Sequence, residues 1–80
     1  ELEQLAIAPN PVRDLLQINN TLGVSKFKIS NIFGQTIANV FSNGDSEKSI
    51  DVSAFQSGTY VLTSFNKEDQ PIGVAKFVKI

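Results

Sequence analysis

Apolar residues recur at every second position over most of this chain. "VSKFKIS", from Val24, sets Phe27 and Ile29 against Lys26 and Lys28, the pattern of a strand with one face in a core and the other in water. Leu16 and Ile18 share a face opposite Leu15 and Gln17, and Tyr60 and Leu62 share one opposite Val61, Thr63 and Phe65. The alternation predicts strands near residues 3–7, 15–20, 24–31, 36–42, 47–52, 59–66 and 72–79. β-Branched and aromatic residues fill these runs, and no stretch keeps apolar positions at helical spacing for three turns. The chain is therefore expected to be all-β.

Turn chemistry separates the runs. "NIFGQ" places Asn31 three residues before Gly34, which suits a turn whose last position takes positive φ. "FSNGDS" carries Asn43-Gly44, the dipeptide of a type I′ hairpin, in which both central residues take positive φ. "NKEDQP" is polar enough to form a longer hairpin tip between the last two strands. Seven short strands punctuated in this way describe a β-sandwich of antiparallel sheets. Lys76 and Lys79 in the last run are charges of the kind that discourage edge-to-edge pairing.

Composition narrows the range of functions. A chain of 80 residues makes one domain, residues 1–80, and folding hides only about 60–65% of the surface its unfolded form exposes. Its 41% hydrophobic and 19% charged residues lie within the globular range. A formal charge of −1, with both signs scattered, provides no basic stripe for nucleic acid and no polybasic segment for an anionic membrane. No apolar run approaches the roughly 20 residues that span a bilayer, so direct membrane insertion is not expected. The N-terminus also lacks the regions of a signal peptide. Cys is absent, which excludes disulfides and thiolate metal sites and leaves packing to hold the fold.

The side chains that usually carry catalysis are missing. Without His or Cys there is no group whose ordinary pKa lies near neutrality and no thiol nucleophile. The carboxylate pairs Asp45 with Glu47 and Glu68 with Asp69 fall in or beside predicted turns, where charge is usually there for solvation. Neither a nucleophile elbow nor a Ser-x-x-Lys motif occurs. "SNGDS" offers too few oxygen ligands for a calcium loop. No enzyme activity, cofactor or metal is expected.

Four blocks occur in a fixed order: "PNPVRDLLQI" from Pro9, "ISNIFGQTI" from Ile29, "IDVSAFQSGTYVL" from Ile50, and the closing "KFVK" of Lys76, Phe77, Val78 and Lys79. Together they resemble the C-terminal sorting domain of the type IX secretion system of Bacteroidota. The resemblance covers nearly the whole chain from Pro9 onward. Two small departures are Ala8, where a large residue often precedes the first Pro, and Ile80 after the closing Lys. The resemblance implies an immunoglobulin-like β-sandwich at the end of a larger protein, with residues 1–8 as the linker or first strand leading in from an N-terminal cargo domain. It also implies a periplasmic stage, recognition by the outer-membrane translocon, removal of the domain by a sortase-like cysteine protease, and a cargo left at the cell surface or outside the cell.

The blocks also have a direct physical reading. Pro9 and Pro11 fix φ and bias Ala8 and Asn10 away from helical geometry, giving a stiff, extended lead-in. Asp14 is placed to receive backbone hydrogen bonds as an Asx-turn. Asn31, Gly34 and Gly58 read as turn positions, and Tyr60 as a core aromatic with its hydroxyl at the edge. Lys76 and Lys79, taken as exposed on a terminal strand with Phe77 and Val78, fit recognition through edge and charge. They fit a solubilised edge equally well. The alternative to a sorting signal is an immunoglobulin-like carbohydrate-binding or adhesion module. Against it, Trp is absent, Tyr60 is the only Tyr, and Phe27, Phe33, Phe41, Phe55, Phe65 and Phe77 read as core or turn packing.

Overall fold

The computed structural model describes residues 2–19 and 21–80. Glu1, and Asn20 at the end of the strand expected over 15–20, lie outside them. Eight strands form, in order β1 (Glu3–Gln4), β2 (Ala6–Ala8), β3 (Leu15–Asn19), β4 (Lys26–Asn31), β5 (Thr36–Phe41), β6 (Glu47–Asp51), β7 (Gly58–Phe65) and β8 (Pro71–Lys79). Among the described residues there is no helix. One sheet has the order β1-β8-β7-β4-β5 and the other β2-β3-β6.

The expected alternation decides which side chains the two sheets enclose. Leu16 and Ile18 of β3 and Ile50 of β6 meet Phe27, Ile29, Leu62, Ala75 and Phe77 of the larger sheet in one buried cluster. Lys26, Lys28, Thr63 and Val61 take the opposite parity and lie half-buried on the outside. Each large side chain buried in this way contributes on the order of 1.5–3 kcal/mol. Two of the expected packing aromatics are not packed. Phe33 at the β4–β5 tip is 82% exposed and Phe41 at the end of β5 is 74% exposed. Phe41 pairs in register with outward-facing Lys26, which puts its ring on the outside of the sheet.

The strand expected over 3–7 breaks at Leu5 and serves both sheets. β1 runs parallel to β8, with Glu3 opposite Gly73, and β2 runs antiparallel to β3, with Ile7 opposite Ile18. The sandwich is thus all-β as expected but not wholly antiparallel. Leu5, at the switch, is 8% exposed. Gly73 makes room for it: a Cβ at this position would lie 2.6 Å from Ser64 Oγ and 2.8 Å from Leu5 Cδ2.

Asn43-Gly44 does not make the expected hairpin. Gly44 has a φ of 80° but Asn43 does not take a positive value, so the turn is not type I′. A hairpin requires its two flanking strands to pair, whereas β5 pairs with β4 and β6 with β3. The segment instead crosses between sheets, tied down by Thr21, whose hydroxyl donates to the Asp45 carbonyl and whose N–H donates to the Ser46 carbonyl at 3.1 Å.

The hairpins β4–β5 and β7–β8 close with the same five-residue turn. In the first, Asn31 Oδ1 accepts the N–H groups of Phe33 and Gln35, and Asn31 Nδ2 donates to Gln35 Oε1. In the second, Asn66 Oδ1 accepts those of Glu68 and Gln70, and Asn66 Nδ2 donates to Gln70 Oε1. The fourth position takes positive φ in both, 83° at Gly34 and 62° at Asp69. Each turn is followed by a bulge that leaves one isoleucine without an opposite number, Ile37 in β5 and Ile72 in β8.

Candidate functional site

The Pro block bends where an extended lead-in was expected, and its Asn10 side chain does the work of a strand backbone. Neither Pro9 nor Pro11 has an N–H to offer a neighbouring strand. Asn10 Nδ2 donates to the Lys76 carbonyl at 3.2 Å, and Asn10 Oδ1 accepts the Val78 N–H at 2.9 Å. Main-chain pairing then resumes, with the Val12 N–H donating to the Val78 carbonyl and the Ile80 N–H donating to the Val12 carbonyl. At the other end of β8, the Leu5 N–H donates to the Val74 carbonyl at 3.0 Å. The outer edge of the last strand is therefore covered from Gly73 to Ile80, which corrects the expectation that it is open to be read. The Ala8–Pro9 and Asn10–Pro11 peptide bonds are both cis.

The closing block divides by parity. Phe77 is fully buried, and Lys79, expected on the outside, shares its face and is only 7% exposed. The Lys79 Nζ donates to the Ile80 main-chain oxygen at 3.0 Å. Lys76 and Val78 take the other parity and face outward.

Around Phe77 the remaining expected residues take structural positions. Tyr60 pairs with it in register, the two rings stacked at 5.5 Å between centroids, and Phe55 tilts against Tyr60 at 5.3 Å. The Tyr60 hydroxyl donates to the Gln56 carbonyl at 2.6 Å, so the buried ring keeps a satisfied polar tip. Gly58 opens β7 rather than sitting in a turn, with a φ of 153° that L side chains rarely adopt. Asp14 contributes its carbonyl, which accepts the Val52 N–H at 2.8 Å. The Asx-turn expected of it is made by Asp51, whose Oδ1 accepts the Ser53 N–H at 2.9 Å. The Ser53 hydroxyl and N–H hold the Asp51 carboxyl below the usual aspartate value.

Charge is unevenly placed among the strands. β4, β5, β7 and β8 carry Lys26, Lys28, Lys76 and Lys79 and no carboxylate, whereas Glu3 lies on β1 at the edge of the larger sheet, β6 carries Glu47 and Asp51 with Lys48, and Asp14 and Asp45 lie in loops. Lys26 pairs with Asp69 at 3.0 Å and stands 4.7 Å from the Phe65 ring centroid, with Lys28 at 5.6 Å from the same ring. A cleft of about 450 Å³ opens between the loops at Gly23–Ser25, Ser42–Gly44 and Asn66–Glu68. Among the described residues, no group of three or more His, Cys, Asp or Glu is placed to hold a metal ion, and no helix is long and apolar enough to cross a membrane. The arrangement can bind through face and charge.

Residues 6–79 match the family model of the secretion system C-terminal sorting domain. The chain belongs to that family: it is a C-terminal sorting signal of type IX secretion. The family is not an enzyme family, and it implies Bacteroidota, a cargo protein, the type IX secretion machinery, and export to the cell surface or extracellular space. Neither a curated protein nor a solved structure matches the chain.

Proposed function

We propose that residues 1–80 form one sorting domain that takes its cargo from the periplasm through the outer-membrane translocon. A sortase-like cysteine protease then removes the domain at the cell surface, and the cargo is anchored there or released. The observation that carries this reading is the family match across residues 6–79. In this reading Pro9, Asn10, Pro11, Asn31, Gly34, Gly58, Tyr60, Phe77 and Lys79 maintain the fold, and Lys76 and Val78 are the outward positions of the closing block that the machinery can touch.

The binding-module alternative gains two exposed rings, Phe33 and Phe41. They lie at opposite ends of β5, roughly 20 Å apart for a strand of that length, and do not make one platform for a sugar. A periplasmically directed reporter carrying residues 1–80 at its C-terminus tests the proposal in a Bacteroidota host with and without a working translocon. Translocon-dependent arrival at the surface or in the medium, with the domain gone from the mature reporter, is the expected result. An intact fusion retained in the periplasm of the wild-type host would overturn it.

A further inference from the structure

We infer that the outward face of β8, β7 and β4 is a docking surface for a carboxylate-bearing protein surface of the secretion machinery, an inference that rests on the sorting function proposed above. Strand register places Lys76 opposite Val61 and Lys28 opposite Thr63, on the same side as Lys26 opposite Phe65. Three lysines thus share one face of the sheet. The three strands concerned and their neighbour β5 carry no Asp or Glu, although the whole chain has a net charge of −1. Cationic excess on this face is therefore a matter of placement, not of composition.

The lysines on this face are unequally committed. Lys26 is engaged by Asp69, while Lys28 and Lys76 form no ion pair among the described residues. Lys28 stands over the Phe65 ring, which restrains its ammonium without neutralising it. Between the cations lie half-buried Val61 and Thr63, with Val78 42% exposed beside them. Lys26 and Lys28 are about 7 Å apart along the strand, and Lys76, two strands away from β4 and in line with Ser30, lies about 12 Å from Lys28. A patch of Val61, Thr63 and Val78 with cations at this spacing is complementary to a protein surface that presents an apolar side chain between carboxylates. An anionic lipid surface is the poorer match, because polybasic membrane sites gather roughly 4–8 Lys or Arg, and this face has three.

The test is export of the reporter fusion carrying K28E/K76E, compared with wild type and with K28R/K76R, each fused domain having the wild-type unfolding midpoint. The charge-reversed fusion should be exported roughly tenfold less well and the arginine variant as well as wild type, since reversal puts like charges face to face. Export of K28E/K76E at the wild-type level sinks the docking surface and leaves the sorting function standing. Failure of the wild-type fusion to leave the periplasm sinks both. The lipid alternative is read separately, by cosedimentation of the purified domain with phosphatidylcholine–phosphatidylglycerol vesicles. Sedimentation that K28E/K76E abolishes assigns the face to lipid and overturns the protein partner. Absence of sedimentation, with export lost, supports the protein.

Discussion

The hairpins β4–β5 and β7–β8 carry the same turn and the same bulge, and they end in opposite surroundings. Beyond β8 lie β1, the Asn10 carboxamide and Val12, so its outer edge is occupied. Beyond β5 the larger sheet stops. The two bulge residues follow suit: Ile72 is half-buried against the core, while Ile37 is 44% exposed. β5 holds no charged residue, so the bulge itself is the device that keeps this edge from inviting another strand. Local turn chemistry makes a hairpin. Which of its edges is covered depends on a segment more than sixty residues away, whose Leu5 fits only because position 73 has no side chain.

Removing the cover should cost most. Leu5→Ala is expected to lower the unfolding free energy, read by urea titration, by about 2–4 kcal/mol, a large part of the roughly 4–12 kcal/mol typical of a chain this long. Gly73→Ala should cost about 1–3 kcal/mol by pushing Ser64 and Leu5 aside, whereas the corresponding change on the bare hairpin, Ala38→Gly, should cost no more than about 1 kcal/mol. Equal losses at the two sites would erase the distinction drawn between the edges.

Asn10→Ala strips two hydrogen bonds from β8 and should cost about 1–2 kcal/mol. Faster hydrogen exchange at the Val78 amide would locate that loss at the edge, and an unchanged Val78 amide would count against the strand role given to Asn10. The turns share their Asn and Gln and differ at the three positions between, of which the last, the fourth of the turn, takes positive φ. Gly34→Asp should cost about 1 kcal/mol for placing a Cβ in left-handed backbone. Asp69→Gly relieves that penalty and gives up an exposed ion pair worth about 0–1 kcal/mol, so its thermal midpoint should barely move.

The smallest effect is at Asp51. Its carboxyl is depressed in the folded chain, so its contribution is present above the ordinary unfolded value near 3.9 and fades as pH falls through the lower folded value. Asp51→Asn should lower stability slightly at neutral pH, leave it unchanged in strong acid, and so flatten the acid limb. A variant whose acid limb matches wild type would show that Ser53 does not hold this carboxylate.

How far the fold could be read from the sequence depended on how local each feature is. Phe27, Ile29, Leu16, Ile18, Tyr60 and Leu62 were legible because side-chain parity in a strand is set residue by residue. The tips at Asn31–Gly34 and "NKEDQ" were legible for the same reason. Their identity was also visible in principle, as an Asn followed four residues later by Gln in both. The inward turn of Lys79 could likewise have been found by counting in twos from Phe77. Asn43-Gly44 misled because a turn dipeptide does not specify which sheet its flanking strands join. The split at Leu5 and the role of Asn10 were hidden because both depend on contacts with β8, at the far end of the sequence. The family blocks were legible as a pattern, but the division of "KFVK" into an inward and an outward pair is a property of the folded sheet.

The parallel pairing of β1 with β8 governs how the domain bears a load. Tension that draws the segment before Glu3 one way and the end of β8 the other runs along both strands. The Leu5–Val74, Val12–Val78 and Ile80–Val12 bonds are then loaded in shear and share the strain. Tension applied across the open end of the β7–β8 hairpin, where Gly58 lies opposite Lys79, would instead meet the ladder one bond at a time. A pull on the segment before Glu3 against a hold at the end of β8 would thus load the domain in its strong direction. Single-molecule extension between positions 3 and 79 should need a higher rupture force than extension between positions 58 and 79, where strands β7 and β8 would peel apart.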